Sequence, residues 1–387
     1  MILHPKEADR LQSALGSARY TSGSTHTFYL YPARFSPEIA HAVIETFSKP
    51  GDWVLDPFMG GGTAIIEGLS LGRSMIGVDL NALAHFVADV RTRPLSPHDE
   101  DLVRTWAMGT ASGAWDSPTE PELHVQNLPL TVKRFVTEAL ARSEELPFPR
   151  QRAFARTTLL RLGQWALDCR DHNAPSRAKL TAKVPELADQ MLAGLRELVQ
   201  LCRDAGLRKH EIVGRRVLLC RDAVGLHEEL RLRALPKRPR LVFTSPPYPG
   251  VHVLYHRWQV RGRRETDAPY WIAQVPDGYY ASHYTGGSRT PTGERNYFSM
   301  IEAVFSSVRL SIAPDAIVVQ LVGFANVREQ LPRYLEAMRA AGFEACPIPR
   351  RQRQRLWRRV PNRRWYAKLQ GAGDASSELL LFHRPVA

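Results

Sequence analysis

The sequence has little cysteine and no long apolar run. Its four cysteines, Cys169, Cys202, Cys220 and Cys346, lie far apart and form no CxxC or Cys/His ligand spacing. Neither a disulfide framework nor a structural zinc site organises such a chain, and no metal is expected. No stretch approaches the roughly 18 apolar residues of a membrane span, and the opening MILHPKEADRLQ has no apolar core of a signal peptide. A reducing cytoplasm, near the nucleoid if the source is bacterial, with no membrane partner, is the expectation. No internal repeat is visible.

Acid is also scarce: 39 Asp and Glu stand against 52 Lys and Arg, a formal net charge of +13. The excess gathers in RRQRQRLWRRVPNRRWYAKLQ (350–370), where Arg358, Arg359, Arg363 and Arg364 alternate with Trp357, Trp365 and Tyr366. Guanidinium groups for phosphates interleaved with rings for stacking suit a nucleic acid, and these four arginines are the candidate contacts. A solvated hairpin with aromatic feet in the core is the alternative.

Against these absences, 44% hydrophobic residues in 387 suffice for a globular core of roughly 200 to 250 residues plus insertions. SPEIAHAVIETF, from Ser36, has helical spacing. Pro50-Gly51-Asp52 then turns into the short apolar strand WVLD, a glycine loop, the helix TAIIEGLSLG and a second strand, SMIGVD. Strand, glycine turn, helix, strand is the start of a parallel α/β sheet. From 93 to 210 the pattern becomes long Arg- and Leu-rich helical segments, broken by proline near Pro129, Pro147 and Pro185, which reads as a helical insertion and a possible substrate-recognition region. Strand patterns return at RVLLC, LVFTS, AIVVQLV and ELLLF. The chain thus divides into 1–92, 93–210 and 211–387, with 262–296 expected as a mobile loop or lid because it is polar, rich in glycine and poor in apolar runs.

Two loops carry chemistry. In Asp56-Pro57-Phe58-Met59-Gly60-Gly61-Gly62-Thr63, glycines where a strand meets a helix let backbone approach a ligand, and the free N–H groups of the helix start favour an anionic group. Asp79, about 20 residues on at the end of the next strand, stands where an acid accepts hydrogen bonds from ribose hydroxyls; the alternative is a helix cap for NALAHFVADV. In Thr244-Ser245-Pro246-Pro247-Tyr248, two prolines end a strand and hold the carbonyls around Ser245 and Pro246 in a fixed array that can only accept hydrogen bonds. Tyr248 offers a ring on which an extruded base could stack.

Together these loops resemble the amino-methyltransferases of DNA, whose cofactor loop reads D-P-F-x-G-x-G-T and whose catalytic loop reads [DNS]-P-P-[YF]. The resemblance covers about 26–92 and 211–325. It implies a Rossmann-like core with a mostly parallel seven-stranded sheet, and S-adenosyl-L-methionine as cofactor. It implies that Gly60 and Gly62, within the loop of Asp56, Pro57, Phe58 and Thr63, line the methionine part and that Asp79 meets the ribose. Ser245 and Pro246 would accept hydrogen bonds from the target amine, with Pro247 completing the loop and Tyr248 stacking on the flipped base. Family members close the pocket with a segment matched by FYLYPARFSPEIA (28–40). There Arg34 is a candidate for the cofactor carboxylate, or a surface arginine ahead of a helix; Asp222 falls where the family places an acid near the adenine amino group.

The serine form of the catalytic loop favours cytosine N4 over adenine N6. A C5-cytosine enzyme would need a Pro-Cys loop, and Cys346 is followed, not preceded, by proline. The resemblance implies DNA as partner, RNA being the weaker alternative, in a restriction-modification or defence setting with a possible cognate endonuclease. The rivals are an RNA methyltransferase of the guanine-N2 type and a non-catalytic nucleic-acid-binding protein that keeps the fold.

Overall fold

A computed structural model describes residues 5–16, 23–30, 35–112, 125–168, 173–249, 257–261, 264–277, 290–346, 356–359 and 377–386. Its strands are β1 (Trp53–Asp56), β2 (Ser74–Asp79), β3 (Arg216–Cys220), β4 (Leu241–Thr244), β5 (Trp258–Val260), β6 (Arg264–Thr266), β7 (Ile317–Gly323), β8 (Phe343–Ala345), β9 (Leu356–Arg359) and β10 (Ser377–Pro385). Seven of them run in the order β3-β2-β1-β4-β7-β10-β8, and β9 pairs with β10 as an eighth. Neighbours from β3 to β7 are parallel, whereas β10 runs antiparallel to β7. The α/β class and the mostly parallel seven-stranded sheet expected from the sequence are therefore present.

The helices are α1 (Pro5–Gly16), α2 (Pro37–Phe47), α3 (Thr63–Ser70), α4 (Ala82–Arg91), α5 (Pro97–Ser112), α6 (Leu130–Ser143), α7 (Pro149–Leu167), α8 (Arg177–Asp204), α9 (Leu230–Arg233), α10 (Ala268–Ala273), α11 (Pro291–Ser311) and α12 (Val327–Ala340). Strands such as IVVQLVG are apolar on both sides because both faces are covered. On one face Ile301, Phe305 and Tyr334 of α11 and α12 pack on Val242, Val318 and Leu379. On the other, Ile39, Val43 and Ile65 of α2 and α3 pack on Val54, Phe243 and Leu380.

Between β2 and β3 stand α5 to α8, whose apolar faces share a cluster with Leu83, Ala84 and Val87 of α4. Gln164 of α7 both accepts from Leu30 N–H at 2.8 Å and donates to Leu30 C=O at 2.9 Å, as a neighbouring strand would. The interval is thereby tied to the segment that precedes β1.

Two expectations need correction. Pro185 does not break a helix: α8 runs through it. Its lost backbone bond, which with the ring clash costs about 3 kcal/mol in a helix interior, is offset by the buried row Val184, Leu187, Ala188, Met191 and Leu195. Nor is 262–296 one long loop. Trp258 and Tyr270 are buried in the β5–β6 hairpin and α10, and α11 already begins at Pro291; residues 262, 263 and 278–289 lie outside the described residues. The apolar anchors that order this stretch are aromatic residues spaced too irregularly for a periodicity argument. Among the described residues no helix is long and apolar enough to cross a membrane.

Candidate active site

The sheet reverses its direction of growth between β1 and β4, the switch point at whose strand carboxyl ends ligands bind in open α/β sheets. Asp56 ends β1 and Thr244 ends β4. The Thr244 hydroxyl donates to Asp56 Oδ1 at 2.6 Å, a buried bond that joins the two motif loops at the ends of neighbouring strands. Phe58 N–H donates to the same oxygen at 3.1 Å.

After Asp56 the chain turns through Gly60 (φ 50°) and Gly62 (φ 80°), the latter capping α3. A Cβ on Gly62 would lie 2.9 Å from Ala88 Cβ and 3.3 Å from its Cα on α4. Both the left-handed backbone and the close approach of α4 therefore require glycine there. Gly62→Ala is expected to lower stability by about 1–3 kcal/mol through strain and overpacking, read as a shift in urea midpoint. A midpoint equal to wild type would show that the loop does not hold this conformation.

Asp79, at the end of β2, accepts from Gly60 N–H at 2.8 Å and from Asn81 N–H at 2.9 Å. The cap of α4 is Asn81, whose Oδ1 accepts from Leu83 N–H at 2.8 Å. Asp79 is thus the post that supports the glycine loop. Asp222 is exposed just past β3, where its Oδ1 accepts from Val224 N–H at 2.8 Å and the preceding Arg221 N–H donates to Asp79 C=O at 3.0 Å. Asp56, Asp79, Asp222 and Ser245 consequently line one edge of the sheet.

Burial pushes the Asp56 carboxyl up to about 7, the bonds from Thr244 and Phe58 acting against it and nearby Asp79 adding to it. Burial likewise raises Asp79 to about 6 against its two backbone bonds. Among the described residues Oδ2 of Asp56 is buried with no hydrogen-bond partner. Two acids held towards neutrality, one with an orphaned oxygen beside a glycine cradle, fit the cationic sulfonium and ribose hydroxyls of S-adenosylmethionine. Because both folded pKa values are raised, these groups favour the folded state most below about pH 4, and that contribution is lost as pH rises through about 6 to 7. A cationic ligand favours the ionised forms. Its affinity should therefore rise from pH 5.5 to pH 8, by up to about tenfold per pH unit for each proton released. Calorimetry in buffers of different ionisation enthalpy checks this, and pH-independent binding without proton release would contradict it.

In the catalytic loop Ser245 is partly exposed and Pro246 buried. Among the described residues no donor reaches the carbonyl of either. The Tyr248 ring is 9% exposed, and its hydroxyl donates to Oε1 of Glu378, the lone acid at the start of β10, at 2.7 Å. Ser245 Oγ lies 3.3 Å from the Tyr248 hydroxyl. Glu378 reaches this site because β10 is antiparallel: its first residues pair with Gly323 at the carboxyl end of β7.

Three further features escaped the sequence reading. Arg91 is fully buried and donates to the carbonyls of Gly61, His26 and Tyr29, pinning the glycine loop to the segment before α2. Thr244 bridges the two loops. Asn81 Nδ2 donates to the Tyr270 hydroxyl at 3.0 Å, linking α4 to α10. A charged residue amid the apolar residues of a helix was the available signal for Arg91, and the acid heading ELLLF that for Glu378. Arg34, Arg363 and Arg364 lie outside the described residues. Arg358 and Arg359 belong to β9, their backbones in register with Glu378 and Ser377.

Strand order, glycine loop and acid-terminated second strand define a Rossmann-like methyltransferase core. Residues 9–87 match the family model described as DNA methylase. A stretch of 80 residues is 39% identical to the Type II methyltransferase M.MvaI of Kocuria varians, covering 20% of this chain and 18% of that protein. Another of 116 residues is 30% identical to the Type II methyltransferase M.BsoBI of Geobacillus stearothermophilus, covering 30% and 22%. The matched stretches thus span about a fifth of these relatives' lengths. Among solved structures, TrmN from Thermus thermophilus aligns with 93% of this chain and 52% of its own at 13% identity and a TM-score of 0.33, too low to add to the fold assignment, which rests on strand order.

Proposed function

We propose that the chain transfers a methyl group from S-adenosylmethionine to an exocyclic amine of a DNA base, cytosine N4 ahead of adenine N6. The observation that carries this reading is the 2.6 Å Thr244–Asp56 bond, which sets the Ser245-Pro246-Pro247-Tyr248 loop against the glycine loop at the switch point of the sheet. When bound, the cofactor supplies an electrophilic methyl on sulfur. Asp79 would meet its ribose and the glycine loop its methionine part, and Asp56, once ionised, would contribute negative charge near the sulfonium.

An amine on a base has its lone pair delocalised into the ring. Hydrogen bonds from its N–H groups to Ser245 and to the Pro246 carbonyl draw the nitrogen towards tetrahedral geometry and free that pair for attack. No covalent nucleophile is needed. At 9% exposure the Tyr248 ring offers little face, so stacking on a flipped base requires side chains over it to move. Asp222 and Arg34 are proposed contacts for the cofactor's adenine and carboxylate, and 93–210 a proposed substrate-recognition region. A cognate endonuclease is a proposed partner.

Incubation with tritiated S-adenosylmethionine and unmodified double-stranded DNA should label the DNA, and single-molecule sequencing should place the mark on an amine. Label confined to RNA would overturn the reading in favour of an RNA methyltransferase; cofactor binding without transfer to either would favour a non-catalytic binder. Replacing Arg358, Arg359, Arg363 and Arg364 with alanine should weaken DNA binding and flatten the log K against log salt slope by about one per lost phosphate contact. An unchanged slope would remove this stretch from the interface.

A further inference from the structure

The family's catalytic loop accepts Asp, Asn or Ser at its first position, and these are not equivalent as acceptors. Asp and Asn carry an oxygen that only accepts, whereas a serine hydroxyl rotates and can equally donate. A serine that must accept from a base amine needs its own proton committed elsewhere. Resting on the amine-methylation reading, we infer that Glu378 is the positioning residue that makes this commitment, acting through Tyr248.

The chain of bonds runs one way. Tyr248 hydroxyl donates to Glu378 Oε1 at 2.7 Å. A phenol has a single proton, so its oxygen is left to accept, and Ser245 Oγ donates to it over a longer 3.3 Å. Ser245 then has only lone pairs to offer the substrate side. Glu378 is 7% exposed and Tyr248 9%, so water does not readily replace either partner, and the polarity of the chain is set from its buried end. The motif alone does not contain this device: Glu378 is 130 residues from Tyr248 in sequence.

The test uses the full chain with labelled S-adenosylmethionine and unmodified DNA in single-turnover transfer. Glu378→Leu removes the acceptor, lets Tyr248 turn its proton towards Ser245, and should slow transfer on the order of tenfold to hundredfold while cofactor affinity stays unchanged. Glu378→Gln keeps an accepting oxygen and should restore most of that rate. Tyr248→Phe should slow transfer similarly, and Tyr248→Phe with Glu378→Leu should be no slower than Tyr248→Phe alone. Ser245→Asn, which supplies a fixed acceptor, should make the enzyme insensitive to Glu378→Leu; a purely structural role for Glu378 predicts no such rescue.

Urea unfolding of the same Tyr248 and Glu378 variants should give a coupling of roughly fivefold to tenfold in the unfolding equilibrium constant. This readout does not depend on activity. A Glu378→Leu rate within twofold of wild type, a Glu378→Gln variant as slow as Glu378→Leu, or additive unfolding effects would each overturn the inference. If Glu378→Leu does not fold, Tyr248→Phe and Glu378→Gln carry the comparison. Wild type that transfers no label overturns the functional reading instead, and the unfolding cycle then decides whether the chain exists.

Discussion

Arg91→Met is expected to lower the stability of the whole chain by about 2–4 kcal/mol, the largest effect of any substitution outside the sheet core. Its guanidinium is fully buried and serves three carbonyls, those of Gly61, His26 and Tyr29. A buried carbonyl stripped of its donor costs about 1–3 kcal/mol, while removing the buried cation returns part of its own desolvation penalty. Methionine ends about where the Arg91 Nε lies, so it keeps the packing of the stem and removes the guanidinium with its bonds. Lysine should recover only part, because one ammonium cannot span carbonyls from three separate turns as a planar fork does. Cofactor affinity should fall with stability, since the Gly61 carbonyl lies inside the glycine loop. A urea midpoint within about 0.5 kcal/mol of wild type, the range of an ordinary surface change, would refute the clamp.

The second large effect is at Asp79. Asp79→Asn preserves shape but meets two inward-pointing donors, Gly60 N–H and Asn81 N–H, with one oxygen and one NH2. One donor is left facing another, with a buried N–H unsatisfied at about 1–3 kcal/mol. The penalty falls on the loop that receives the cofactor, so affinity for S-adenosylmethionine should drop on the order of tenfold to hundredfold, and Asp79→Ala should be no better. Titration calorimetry with the cofactor alone measures this without a DNA target. Binding of Asp79→Asn within twofold of wild type would show that Asp79 neither orders the loop nor meets the ribose.

Much of this was readable in advance where the physics is local. WVLD, SMIGVD, RVLLC and LVFTS read as strands because a short, mostly apolar run bounded by turn residues has few other uses, and all four form. The glycine loop and the proline pair were equally plain, since positive φ and a missing N–H constrain backbone whatever surrounds them. The short strands β5, β6, β8 and β9 were not readable. Three or four residues carry no period, and they form only because a neighbour offers a pairing edge or, for Trp258, because Gly163 of α7 leaves space for its ring. Pro185 misled because a local rule was outweighed by the buried row on either side of it.

Sequence by itself determined the class of core and the two loops, because strand periodicity, glycine and proline act through the chain's own covalent geometry. Only the tertiary structure decided which side chains those loops would meet. Thr244 finds Asp56 across 188 residues, and Tyr248 finds Glu378 across 130. Both pairings follow from strand order and from the reversed direction of β10, which no local pattern encodes.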